Sequence, residues 1–102
     1  MQVCKVVGTV VSTNKTEKLS GMKLLLVRQI DLDTWQETGP LLVSVDTVGA
    51  GSGEIVMTVG GSSSRQTSVT EGTPVDSSIV AIIDHIDVSG KRIFDKADTG
   101  GA

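Results

Sequence analysis

Between Asp46 and Arg65 a six-residue run of period two is set between two glycine-rich turns, and this limits the fold more than any other stretch. Glu54-Ile55-Val56-Met57-Thr58-Val59 puts Ile55, Met57 and Val59 on one side of an extended segment, the pattern of a half-buried strand. Gly49, Gly51 and Gly53 precede it, and Gly60 and Gly61 follow it. Glycine lacks a Cβ and enters the left-handed region freely, so each cluster can reverse the chain within a few residues. At least one glycine of the first turn is expected at positive φ, where a Cβ costs roughly 1 kcal/mol or more.

The first glycine cluster also follows an alternating run, residues 41–46, and so has the outline of a nucleotide-binding turn. Such a turn works only when a helix starts directly behind it, because the helix N-terminus supplies the N–H groups and the dipole that hold phosphate. Here a β-branched run follows instead, and no βαβ repeat appears downstream. The glycines therefore read as a connection between neighbouring strands.

The second cluster reads differently. Gly61 before Ser62-Ser63-Ser64-Arg65-Gln66-Thr67 offers a serine N-cap and then one or two turns of helix. Elsewhere, strands are expected over residues 3–13, 23–30 and 41–46, over 78–88 as the most hydrophobic stretch, and at the edge over 92–95. In the first, Val3, Val7 and Val11 share one face while Cys4, Val6 and Val10 share the other, so neither face meets water freely. In the third, Leu41, Val43 and Val45 are expected to face in. Residues 14–21 and 31–40 read as solvated loops, Trp35 as lying over a strand edge, and residues 96–102 as a frayed tail.

A chain of 102 residues with no linker-like stretch reads as one domain over 1–102. One Trp, one Phe and no Tyr leave the core to Val, Ile and Leu, each contributing roughly 1.5–3 kcal/mol when fully buried. A small aliphatic core suits a protein that gains further burial by assembling with copies of itself. The net charge of −3 makes nucleic acid and anionic membrane poor partners. Cys4 is single and cannot form an internal disulfide. No stretch has the length of a signal segment or a membrane span, so a soluble intracellular protein is expected. Asp31 and Asp33 lack the further carboxylates of a calcium loop, and His85 has no co-ligand or nucleophile at a useful spacing. No catalytic residue, metal or cofactor is expected.

Five short motifs then occur in order. They are Gly8-Thr9-Val10-Val11-Ser12-Thr13, Lys23-Leu24-Leu25-Leu26-Val27, the Gly49 to Glu54 turn, Gly60 to Arg65, and Pro74-Val75-Asp76 leading to Ile79-Val80-Ala81-Ile82-Ile83-Asp84. Together they resemble the pentameric vertex proteins of bacterial microcompartment shells, from carboxysomes and from ethanolamine- or propanediol-type metabolosomes. The residues alone indicate a small all-β domain that oligomerises. The resemblance implies a five- to six-stranded barrel of the oligonucleotide-binding-fold type with one short helix. It further implies a homopentamer that closes shell vertices beside hexagonal facet proteins, within the bacterial cytoplasm. The alternative is an oligonucleotide-binding module on the same fold, which the charge balance and the two aromatics disfavour.

Gly53-Glu54 and the serine cluster look closer to metabolosome members, since carboxysome members tend to carry Trp after the acidic residue. Ser64 departs from both, where alanine is common in the family. Small residues allow close backbone approach around a fivefold axis. Gly49, Ala50, Gly51, Gly61, Ser62, Ser63 and Arg65 are therefore expected at the subunit interface or central axis.

Overall fold

The computed structural model describes residues 1–11, 22–60 and 77–99. Among them the chain forms β1 (Gln2–Val10), β2 (Lys23–Ile30), β3 (Glu37–Asp46), β4 (Ile55–Gly60), β5 (Ser77–Ile82), β6 (His85–Val88), β7 (Lys91–Asp95) and the single-turn helix α1 (Lys96–Thr99). Strands β1 to β5 close into a barrel in the order β1-β2-β3-β5-β4, while β6 and β7 make a separate hairpin. This is the small all-β barrel expected, of oligonucleotide-binding-fold type. The short helix expected after Gly61 lies outside the described residues, as does the 14–21 loop.

Four of the five barrel ladders are antiparallel. The fifth, between β3 and β5, is parallel and holds only two pairs, Val45 with Ser78 and Asp46 with Ile79. The earlier part of β3, residues 37–44, therefore runs past the closure, with β2 as its only strand neighbour among the described residues.

Period two decides which side chains fill the barrel. Cys4 and Val6 of β1, Leu25 and Val27 of β2, Val56 of β4 and Ile79 of β5 form the first core, joined by Ala50 from the glycine turn. Cys4 is packed there as a small apolar residue, its sulfur 3.6 Å from Thr58 Oγ1, and burial pushes its thiol pKa up. The second core, Ile30, Ile55 and Phe94 with Trp35, Ile83 and Ile86 against it, fastens the β6–β7 hairpin to the barrel.

The structure corrects several expectations. β1 ends at Val10, and a register shift between Val6 and Gly8 interrupts its alternation. The long strand expected over 78–88 is two strands, β5 and β6. Between them Ile83 N–H donates to the carbonyl of Ile55, and residue 84 breaks the pairing. β3 begins at Glu37, so the 31–40 loop shrinks to six residues. Asp31 builds that turn: its carboxylate accepts the N–H groups of Asp33 and Thr34, and its carbonyl accepts that of Trp35. Residues 39–41 lie opposite Arg28 alone, an irregularity that accommodates Pro40 within a strand. Trp35 does not merely cover an edge; its ring stacks on Phe94 at 5.3 Å.

The largest correction concerns the inward face of β3. Ser44 pairs with the core residue Leu25 and is fully buried, whereas Val43 pairs with Leu26 on the outer face. Of the three residues expected inside, Val45 is buried at 2%, whereas Leu41 and Val43 are 55% and 52% exposed. Alternation alone reported the period correctly and the burial of residues 41 and 43 wrongly. Polar pairing explains the reversal, because Ser44 Oγ lies 2.9 Å from Ser77 Oγ across the closure.

Candidate functional site

The glycine turn joins β3 to β4 and is held by charged side chains at both ends. Asp46, the last residue of β3, has a side chain only 1% exposed. Its Oδ1 accepts the N–H groups of Val48 and Gly49, each at 3.0 Å. Lys23, its cross-strand partner on β2, donates from Nζ to the carbonyl of Ala50 at 2.8 Å. At the other end Glu54 Oε1 accepts the N–H of Gly51 at 2.6 Å, and its Oε2 accepts Lys96 Nζ at 2.7 Å. Those two bonds, the lysine's first, hold the Glu54 carboxyl below the usual carboxylate range, and the same bond raises the pKa of Lys96.

Backbone bonds complete the arrangement. Gly53 N–H donates to Val6 carbonyl at 2.8 Å, and Val6 N–H donates to Glu54 carbonyl at 3.0 Å. Gly49 and Gly53 stand at φ of 80° and 85°, as at least one glycine here was expected to. At Gly51 a Cβ would lie 3.3 Å from Glu54 Oε1, so a side chain there would have to push the bonded carboxylate back by a few tenths of an ångström.

This arrangement is inward-looking. The N–H groups of Val48, Gly49, Gly51, Gly53 and Glu54 all serve partners within the protein. A phosphate cradle needs such groups free and convergent, and it would not hold a carboxylate at its centre. Among the described residues, no three His, Cys, Asp or Glu side chains converge as metal ligands.

Of the residues expected at an interface or axis, the structure brings Gly49, Ala50 and Gly51 together in this turn, with Ala50 buried in the first core. Gly61, Ser62, Ser63 and Arg65 lie outside the described residues. Sequence reasoning missed Lys23, Asp46, Glu54 and Lys96 as the residues that fix the turn. The one local signal was Gly51-Ser52-Gly53-Glu54, a carboxylate three residues after a glycine N–H. Nothing local marks Lys96, which reaches Glu54 across 42 positions of sequence.

The other feature is apolar and exposed. Leu41, Leu42 and Val43 are consecutive on β3 and are 55%, 38% and 52% exposed. Leu42 and Val43 border a groove of about 500 Å³ lined also by Met1, Gln2, Thr58, Gly60 and Ser77.

A family described as Ethanolamine utilisation protein EutN/carboxysome has a sequence model that matches residues 1–84. The chain belongs to that family, the shell vertex proteins of bacterial microcompartments. Among vertex-family relatives, the carboxysome shell vertex protein CcmL of Synechocystis is 42% identical over 98% of this chain and 99% of its own. The microcompartment shell vertex protein EutN of Salmonella typhimurium is 38% identical over 94% of this chain and 96% of its own. The solved structure of Gloeobacter violaceus CcmL superposes with a TM-score of 0.88 at 39% identity, covering 96% of this chain and all of that one. That of GrpN, a pentameric microcompartment shell protein from Rhodospirillum rubrum, gives 0.77 at 45% identity, covering 86% and 99%. Vertex proteins of carboxysomes and of an ethanolamine-type system thus stand at similar distance from this chain.

Proposed function

We infer that the chain forms a homopentamer that closes the fivefold vertices of a polyhedral microcompartment shell in the bacterial cytoplasm. The observation that carries this is the match along most of the chain to a pentameric shell protein, at 45% identity and a TM-score of 0.77. A closed polyhedron needs fivefold corners, and a head-to-tail interface that closes after five copies supplies them. Proteins that tile as hexagons would surround each corner as the facets. The role is structural, with no acid, base or metal required. A braced turn and a rigid barrel are what it does require.

Within the ring, the turn carrying Gly49, Ala50 and Gly51 lies at the subunit boundary. Gly61, Ser62 and Ser63 lie near the axis, and Arg65 reaches a carboxylate or carbonyl of its own or a neighbouring subunit. Small residues support this reading, because five backbones must approach one another there. The compartment is a metabolosome rather than a carboxysome. Ile55 rather than Trp after Glu54, and the serine cluster, support that choice. The oligonucleotide-binding alternative gains no support, since the chain's two aromatic rings, Trp35 and Phe94, stack on each other.

Native mass spectrometry should find five times the 10.6 kDa chain, and a stable monomer at micromolar concentration would sink the reading. Ser63→Trp tests the axis. Five indoles there should block or break the ring, whereas an unchanged pentamer with exposed indoles far from the axis would refute the placement. Co-expression with facet proteins of either compartment type tests the last point, with closed particles expected only from the metabolosome set.

A further inference from the structure

Lys5 of β1 and Arg28 of β2 stand directly opposite each other across the antiparallel β1–β2 ladder. Residues so placed hold their Cβ atoms about 5 Å apart, and two like charges there repel. Cys4 and Val6 flank Lys5, and Val27 precedes Arg28; these three fill the first core. The two cations therefore belong to the outer face, where both are partly exposed. Among the described residues no carboxylate comes within ion-pair distance of either, whereas Lys23, Arg92 and Lys96 each have one.

Their neighbours on the outer face are uncharged as well. Ile55 pairs with Lys5 from β4, and Ile30 follows Arg28 two residues on; both are buried in the second core. The pair thus stands at the rim of an apolar wall, where charge is screened less than in open water. Arg28 is also aimed. Residues 39–41 of β3 lie opposite it as an irregularity, a device that redirects side chains. Gly39, at φ of 77°, presents its carbonyl to Arg28 Nε–H at 3.0 Å. That bond orients the guanidinium plane and occupies one of its five N–H groups. The other four, on the two Nη atoms, have no partner among the described residues.

We propose that Lys5 and Arg28 form a binding site for a phosphate group on the outer face of the barrel. Charge selects the ligand: two fixed cations match a group that carries about −1.5 to −2 at neutral pH better than a singly charged carboxylate. The planar Nη pair fits two phosphate oxygens side by side, and the ammonium takes a third as a point charge. A bound dianion would also relieve the repulsion between the two side chains, so binding stabilises the fold. Inorganic phosphate and a small phosphate monoester present the same oxygens, and the test separates them.

Thermal midpoints of the full chain, at low ionic strength and neutral pH, provide that test. Inorganic phosphate and glycerol 3-phosphate are titrated separately, each against chloride of matched ionic strength. The wild-type midpoint should rise along a saturable curve. Half-saturation should need roughly tenfold more ligand, or more, in Lys5→Gln and in Arg28→Gln. A response to inorganic phosphate alone would mark a site for the free ion, and a response to both one open to phosphorylated small molecules. Without phosphate, Lys5→Glu should melt above the wild type, because a repelling pair becomes an attracting one, and it should lose the response. If Arg28→Gln fails to fold once the bond to Gly39 is gone, the two Lys5 variants decide. A wild-type midpoint that phosphate raises no more than chloride does would overturn the site. So would Lys5 variants that respond as the wild type does, or a phosphate-free Lys5→Glu midpoint below the wild type's.

Discussion

Glu54 ties three parts of the molecule together: its carboxylate holds the glycine turn and α1, and its main-chain carbonyl accepts the N–H of Val6 in the barrel. Because its folded pKa is depressed, it contributes stability above the ordinary carboxylate pKa, and that contribution is lost as pH falls through the folded value. The thermal midpoint of the wild type should therefore drop below about pH 4.3 by more than that of Glu54→Gln. At neutral pH Glu54→Gln should melt a few degrees lower, since the charge-assisted bond to Lys96 is gone. Two parallel pH titrations of the midpoint check both, and identical curves would count against the assignment. Gly49 and Gly53 offer a cleaner backbone test. No atom crowds either, so alanine there adds only left-handed strain of roughly 1 kcal/mol or more. The expected fall in midpoint is about 4–8 °C per kcal/mol for a domain of this size.

The β6–β7 hairpin is a separate sheet whose hold on the barrel passes through Phe94 and the stacked Trp35. Phe94→Ala removes that contact at a cost of roughly 3–5 kcal/mol for a buried ring. The hairpin should then lose amide protection before the barrel does, and the emission of Trp35, the chain's one tryptophan, should shift to the red. Full hairpin protection in the variant would show that other contacts suffice. This unit also marks what local reasoning could reach. The strands, their apolar faces and the positive-φ glycines were legible because period two and the missing Cβ act within a few residues. The break between β5 and β6 was not, since residues 78–88 are continuously apolar and only pairing with β4 ends the strand. Nor was the face of β3 legible. Three apolar residues running together, Leu41, Leu42 and Val43, permit either parity, and Ser44 is drawn inside by Ser77. Among the residues expected at the interface, those in the glycine turn could be placed between β3 and β4 from sequence alone. The side chains that brace them come from distant strands.

The ring proposed above would make stability depend on concentration, because only the folded chain can assemble. The thermal midpoint should then rise with protein concentration, a dependence that scanning calorimetry measures. A concentration-independent midpoint for the wild type would mean that the subunits melt as separate bodies.

The two-pair ladder between β3 and β5 bears on how such a ring answers a load. The other four barrel ladders are longer and antiparallel, so the barrel behaves as a stiff band fastened by one small clasp. Deformation of a shell corner, by osmotic swelling or by growth of the contents, concentrates where the fewest bonds must break. Opening the clasp costs two residue pairs and the side-chain bonds of Ser44 to Ser77 and of Thr47 to the Ile79 carbonyl, and leaves the antiparallel ladders intact, so the barrel should open there first. Hydrogen exchange at Val45 and Ser78 should accordingly run ahead of exchange at Val6 and Val27, which pair within the six-pair seam between β1 and β2.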